Sequence, residues 1–271
     1  MVNTDAPTRI GVQLAPQHAT FSQSLDAVRR LEDLGVDVVF NWDHFFPLSG
    51  TRDGAHFECT TQLAAWAVAT ERIELGPLVF CNSYRNPDLL ADIARTIDHA
   101  SDGRFILGIG AGWFERDYEE YGYEFGTPGT RLGALADALP RIRTRLERLV
   151  PPPVRELPVL IGGGGERKTL RLVAEHATIW HSFATPEELP RKLDALARHA
   201  ADVGRDLGDL VVSNGASARD GVGGLGFERL DALYALGTRL FTIPLSGDDG
   251  PDGYAVDRVR PFLDWRDAKN A

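Results

Sequence analysis

Short apolar runs alternate along the chain with longer stretches in which apolar positions recur every three or four residues. The short runs read as strands at residues 9–14, 36–41, 73–80, 104–110, 158–162, 178–182, 210–214 and 238–243. Val36-Asp37-Val38-Val39-Phe40 and Leu240-Phe241-Thr242-Ile243 are almost continuously apolar, as expected of strands covered on both faces. Between them, Leu25, Val28, Leu31 and Leu34 keep helical spacing, and Gly35 follows where a left-handed C-terminal residue belongs. Asn86-Pro87 predicts an N-cap and first helical residue for a helix running to residue 100. Further helices are expected near 60–70, 130–149, 167–175, 186–201, 227–236 and 255–263. Eight βα units in succession predict an α/β fold, a (β/α)8 TIM barrel, built as a single domain over residues 1–271. Pro151-Pro152-Pro153 reads as a stiff connector inside that barrel, because the seven or so residues around it are too few to separate domains.

Composition adds boundaries to this picture. With 271 residues and 43% hydrophobic content the chain can bury a sizeable core. A formal net charge of −10 argues against nucleic acid or an anionic membrane as the main partner, so an anionic ligand must be held by a local exception. Residues 1–7 have neither a basic region nor an apolar run, so no signal peptide is expected, and no stretch has the apolar length of a membrane span. Cys59 and Cys81 lack metal or disulfide spacing and read as packing residues in a reducing cytoplasm, with Cys81 at a strand end where it could line a pocket.

Three segments carry candidate chemistry. Val39-Phe40-Asn41-Trp42-Asp43-His44-Phe45-Phe46-Pro47-Leu48 is an apolar strand ending in an ionisable pair, at the strand end where a parallel barrel places its active site. The plain alternative is a loop cap at Asp43 and a satisfied histidine at His44. Ile161-Gly162-Gly163-Gly164-Gly165-Glu166-Arg167-Lys168 leads from a strand through four glycines into a helix, which lets backbone amides approach a phosphate; Arg167, Lys168 and Arg171 supply positive charge. Here the alternative is a turn followed by a solvated face in which the basic residues pair with Glu175. Leu107-Gly108-Ile109-Gly110-Ala111-Gly112-Trp113-Phe114-Glu115 leaves room for a flat ring against backbone, although tight rim packing would also explain Gly108. Its glycines do not fit G-x-G-x-x-G. No H-E-x-x-H, C-x-x-C or G-x-S-x-G occurs, and the seven histidines lack metal-ligand spacing, so no metal is expected. Electron or hydride transfer by a planar cofactor is the chemistry left best supported.

These segments, with Glu71-Arg72-Ile73-Glu74-Leu75-Gly76-Pro77-Leu78-Val79, Ser83-Tyr84-Arg85-Asn86-Pro87 and Gly103-Arg104-Phe105-Ile106, resemble the luciferase-like monooxygenase superfamily over roughly residues 8 to 200. Within it they look most like coenzyme F420-dependent oxidoreductases. The resemblance implies a luciferase-like barrel binding a deazaflavin, with FMN as the alternative, at the carboxyl ends of the strands. Carried over by position, it implies Asp43 and His44 beside the ring, with His44 in proton transfer or substrate orientation. Leu78 and Val79 match the bulge behind the ring, where a non-prolyl cis peptide is common. Ala111, Gly112 and Trp113 match cofactor contacts, and Gly163, Gly164 and Gly165, with Arg167 beside them, match the phosphate cradle.

Three departures narrow the expectation. Leu48 stands where related glucose-6-phosphate dehydrogenases have tryptophan, and Trp113 where they have glutamate, so that substrate is not expected. The segment from Leu149 to Pro158 lacks an insertion many relatives carry, and Ala216 to Gly226 is a short glycine-rich loop in place of a longer lid. Two rival readings stay open: an FMN-dependent monooxygenase, and a barrel that binds its ligand without turning it over. The aromatic residues Trp42, Phe45, Phe46, Trp113 and Phe114 suggest an apolar pocket for a small-molecule substrate. Relatives commonly form homodimers through helices after the early strands, and Trp66 is expected there as an exposed anchor.

Overall fold

The computed structural model describes residues 2–216, 227–250 and 253–271. Its strands are β1 (Arg9–Leu14), β2 (Val38–Asn41), β3 (Glu74–Pro77), β4 (Phe80–Cys81), β5 (Leu107–Gly110), β6 (Val159–Gly162), β7 (Ile179–Ser182), β8 (Val211–Gly215) and β9 (Thr238–Leu245). All described pairings between them are parallel, and the sheet runs β3-β2-β1-β9-β8-β7-β6-β5-β4. The two ends of that order are halves of the single strand expected at 73–80, interrupted at Leu78 and Val79. The ring nearly closes there because the Leu75 amide donates to Arg104 O at 3.1 Å and Leu75 O accepts from the Ile106 amide at 2.9 Å. The expected TIM barrel is therefore present, with nine strand segments in place of eight strands.

Period-2 alternation sorts each strand between two cores. Val38, Phe40, Ile106, Leu160, Ile179 and Leu240 fill the barrel interior. Val39, on the opposite face of β2, belongs to the larger core between strands and helices. Gly11 on β1 makes room for Phe40, whose ring edge lies 3.0 Å from where a Cβ would sit. The lower barrel is thus filled by side chains, which leaves the space within the ring of strands above it.

The helices are α1 (Phe21–Asp33), α2 (Cys59–Ala69), α3 (Pro87–Ala100), α4 (Glu115–Tyr121), α5 (Pro128–Arg148), α6 (Thr169–His176), α7 (Leu189–Val203), α8 (Glu228–Ala235) and α9 (Arg260–Asn270). Local chemistry sets their starts: Thr20 and Thr127 form capping boxes for α1 and α5, and Asn86 accepts from the Asp88 amide ahead of α3. Four expectations need correction. Helix α4 has no counterpart in the sequence reading. Residues 104–106 are not strand, because the Arg104 guanidinium is drawn onto the carbonyls of Ala67, Thr70, Ile73 and Ser101. Helix α6 begins at Thr169, after the turn that contains Arg167, and α9 continues seven residues beyond the expected end at 263. The loop expected at 216–226 falls, from residue 217, outside the described residues.

Trp66 is a further correction. Its side chain is fully buried and its indole N–H donates to Ser24 Oγ at 3.0 Å, so it joins α2 to α1 and is no surface anchor. Among the described residues, no helix is long and apolar enough to cross a membrane.

Candidate active site

A cavity of about 420 Å³ opens at the carboxyl ends of β4 to β7. Its floor is the Leu78–Val79 bulge, where the peptide bond is cis, as the resemblance implied. The bulge is tied to the barrel by Gln13, whose Nε2 donates to Leu78 O at 2.9 Å. The adjoining wall is glycine for a steric reason. A Cβ on Gly110 would lie 2.7 Å from Val79 Cγ2, and one on Gly162 would lie 3.3 Å from Val79 Cγ1. Gly112 adopts φ +84°, and a Cβ there would lie 2.0 Å from the Tyr118 hydroxyl. Ala111 and Trp113 complete this wall, Trp113 being 63% exposed at the rim.

His44 stands at one end of the cavity. Its Nδ1 lies 2.7 Å from Asp117 Oδ2. Asp117, fully buried at the start of α4, also accepts from the Phe45 amide at 3.1 Å and the Tyr84 hydroxyl at 3.0 Å. Burial above all, with Cys81 and Asp117 nearby, pushes the Tyr84 hydroxyl upward in pKa, so it stays a donor. The rings of Trp42, Trp113 and Phe114 meet the imidazole edge-on at 6.2, 5.6 and 5.4 Å.

Asp43 lines the same cavity, but its carboxylate is engaged elsewhere. Arg85 grips both oxygens, at 2.6 and 2.9 Å, and the Cys81 amide donates to Oδ2 at 2.9 Å. Burial disfavours the Arg85 charge, yet Asp43 outweighs it and raises the guanidinium pKa. Arg85 also reaches Glu58. Burial would raise the Glu58 carboxyl, but the amides of Thr61 and Thr60 hold it down at about 2. The Tyr84-Arg85-Asn86-Pro87 motif is thus accounted for residue by residue: Tyr84 holds Asp117, Arg85 holds Asp43, and Asn86-Pro87 opens α3.

The glycine run divides. Gly163 lines the cavity, but its amide donates to His181 O at 3.1 Å and its carbonyl accepts from Trp180 Nε1 at 2.7 Å. Gly164, Gly165 and Arg167 lie outside the lining. Amides of Gly164, Gly165 and Glu166 donate to no protein acceptor among the described residues, while Lys192 Nζ caps Gly164 O at 2.7 Å. Arg167 is exposed, and Arg171 pairs with Glu175 at 2.8 Å, the solvated-face arrangement weighed for it above.

Two titratable lining residues went unnoticed in the sequence. Arg131, in the first turn of α5, is 7% exposed, bonds only carbonyls (Gly112 O at 3.1 Å, Phe125 O at 2.7 Å, Gly126 O at 3.4 Å), and has no carboxylate partner among the described residues. His181 on β7 is also buried in the lining. Of the suggested aromatic residues, Trp42 lines a neighbouring cavity of about 370 Å³ with Gln13, Ile243 and Phe262. Phe45 packs on Tyr121 and Tyr84, and Phe46 under Arg116.

Two neutral imidazoles, the buried His181 and the half-buried His56, make the fold sensitive to acid. Burial lowers His181 to about 4, and burial followed by the nearby His44 lowers His56 to about 4. His56 is held neutral as an acceptor for Trp42 Nε1 at 3.0 Å. The unfolded chain takes up these protons near 6.5 and the folded chain only near 4, so their stabilisation is intact above 6.5 and is lost as pH falls through that window. Each histidine contributes at most about 3 kcal/mol. Urea titrations should show stability falling between about pH 6.5 and 4; a flat profile there would mean that both imidazoles are protonated in the folded state.

The fold and the place of the cavity define an α/β barrel with a ligand-sized slot at the carboxyl ends of its strands. Residues 2–218 match the luciferase-like monooxygenase family, and the chain belongs to it. A putative coenzyme F420-dependent oxidoreductase of Mycobacterium tuberculosis is 32% identical over 142 residues, 52% of this chain and 38% of that protein. The 4-hydroxyprotoasukamycin monooxygenase of Streptomyces nodosus subsp. asukaensis is 27% identical over 208 residues, 70% of this chain and 55% of that protein. The matched part of the chain thus spans about half or less of these relatives. An F420-dependent secondary alcohol dehydrogenase, solved with an F420-acetone adduct, superposes with a TM-score of 0.77 at 16% identity, over 88% of this chain and 93% of its own. At that identity the likeness establishes the fold.

Proposed function

We propose that this protein is an F420-dependent oxidoreductase that moves a hydride between the deazaflavin and a small organic substrate. The observation that carries the reading is the slot itself, glycine-walled over the Leu78–Val79 bulge and lined by His44, with unengaged amides just past its lining in the residues that follow Gly163. Glycine at 110 and 162 lets Val79 pack close against the wall, where a Cβ would lie 2.7 and 3.3 Å from its methyl groups, and leaves no side chain standing between that wall and a flat ring. Leu78, Val79, Ala111, Gly112 and Trp113 would contact the ring. Amides of Gly164, Gly165 and Glu166, with the uncompensated charge of Arg131 and the exposed Arg167, would hold a phosphate.

A deazaflavin in this slot supplies the carbon that gives or accepts hydride, and the protein supplies the rest. With Asp117 as carboxylate, the imidazole proton of His44 sits on Nδ1 and Nε2 is left to exchange a proton with substrate. Trp42, Trp113 and Phe114 shield that nitrogen from water. Asp43 acts by position: gripped by Arg85, it fixes the β2 exit from which His44 projects. A cytoplasmic setting suits the two unpaired cysteines. A homodimer would have to use Val68 on α2 and Leu89 on α3, which are exposed on those helices in place of Trp66.

The longer alignment to a monooxygenase favours a second reading, an FMN-dependent monooxygenase. Titrating the protein with each cofactor while following ring fluorescence separates the two. Deazaflavin should bind in the micromolar range or tighter; tight FMN binding with no deazaflavin binding would overturn the proposal.

A further inference from the structure

His181 has one nitrogen accounted for and one that is not. Nδ1 lies 2.9 Å from Ser213 Oγ on the neighbouring strand β8. Nε2 has no protein partner among the described residues, although the side chain is buried to 2% exposure and lines the cavity. A polar atom on a buried side chain that lines a cavity is ordinarily satisfied by what occupies that cavity, water or ligand. Ser213 Oγ has no other hydrogen-bond partner among the described residues, so its hydroxyl proton is best placed on His181 Nδ1. That assignment puts the imidazole proton on Nε2, facing the cavity as a donor.

The position of His181 narrows the ligand atom. β4, β5, β6 and β7 are consecutive in the sheet, so three strand spacings, about 14 Å, separate the Cys81 side of the cavity from His181. That span accommodates a fused tricycle with one hydrogen bond at its far edge. The phosphate end is already provided for by the amides beyond Gly163 and by Arg131. Burial keeps the imidazole uncharged, so it offers a neutral donor and no counter-charge.

We infer that His181, oriented by Ser213, is a further ligand-binding residue of this cavity: it donates Nε2–H to an uncharged acceptor, a carbonyl oxygen or an unprotonated ring nitrogen, at the edge of the planar ring opposite His44. This rests on the proposed function for the identity of the ring, and nothing in the family resemblance pointed to it.

The test is cofactor affinity, measured by ring fluorescence for deazaflavin and for FMN with the wild type, His181→Leu, His181→Gln and Ser213→Ala. His181→Leu should weaken binding of whichever cofactor the wild type binds by about tenfold, the size of one buried hydrogen bond left unmade. His181→Gln, which keeps a donor, should recover most of the loss, and Ser213→Ala should lie between. The loss should be the same at about pH 6 and pH 8, because the imidazole is neutral at both. Unchanged affinity in a folded His181→Leu protein, or no recovery in His181→Gln, would make His181 a packing residue and overturn the inference alone. A wild type that binds neither cofactor would overturn the proposed function and this inference together. Should His181→Leu unfold the protein, Ser213→Ala decides, since it removes only a hydroxyl: weakened binding supports the inference and unchanged binding overturns it.

Discussion

Replacing His44 with alanine is expected to lower kcat by about 10²–10⁴-fold while cofactor affinity stays nearly unchanged. A positioned proton donor or acceptor contributes on that scale, whereas of the ring contacts proposed above, Leu78, Val79, Ala111, Gly112 and Trp113, His44 packs edge-on only against Trp113. The fold should survive, because Asp117 keeps the Phe45 amide and the Tyr84 hydroxyl as donors. The measurement is steady-state turnover with a confirmed substrate beside a cofactor titration. Normal turnover would make His44 structural and move the proton to solvent, the substrate or Glu115, which is exposed on α4.

Gly112→Ala should be the most destabilising single methyl in the site. Its φ of +84° already disfavours any side chain, and the added Cβ would lie 2.0 Å from the Tyr118 hydroxyl and 2.5 Å from Cys81 Sγ, both buried. Backbone strain and overpacking together suggest about 2–5 kcal/mol, a fall in Tm on the order of 10 °C. Gly122 is the internal control, with φ +72° and nothing within 4 Å of its would-be Cβ, so Gly122→Ala should show the strain without the collision. Comparable losses in the two variants by chemical denaturation would show that Tyr118 simply moves aside and that the wall is soft.

The barrel was legible because β2 and β9 carry almost continuous apolar runs, Val38-Val39-Phe40 and Leu240-Phe241-Thr242-Ile243, and the caps at Asn86 and Gly35 are unambiguous. Helix α4 was not, since Glu-Arg-Asp-Tyr-Glu-Glu-Tyr has no apolar stripe and buries only Asp117 and Tyr118. The same polarity hid the partner of His44, which lies 73 residues away and looks like surface charge in the sequence. Asp43 drew attention for its strand-end position, yet the guanidinium that fixes its role comes from 42 residues downstream. Trp66 misled for the opposite reason. α2 is apolar on nearly every side, so spacing alone did not tell which face meets the core.

Cys81 lines the cavity, with its Sγ 3.1 Å from the Tyr118 hydroxyl, and burial raises its thiol pKa; Cys59, fully buried, is raised further by the same cause and by Asp43. Oxidants and alkylating agents attack the thiolate, which neither residue populates at neutral pH. The sulfur that lines the cavity is thus held in its least reactive form, so an oxidant or electrophile that enters the slot meets a protonated thiol.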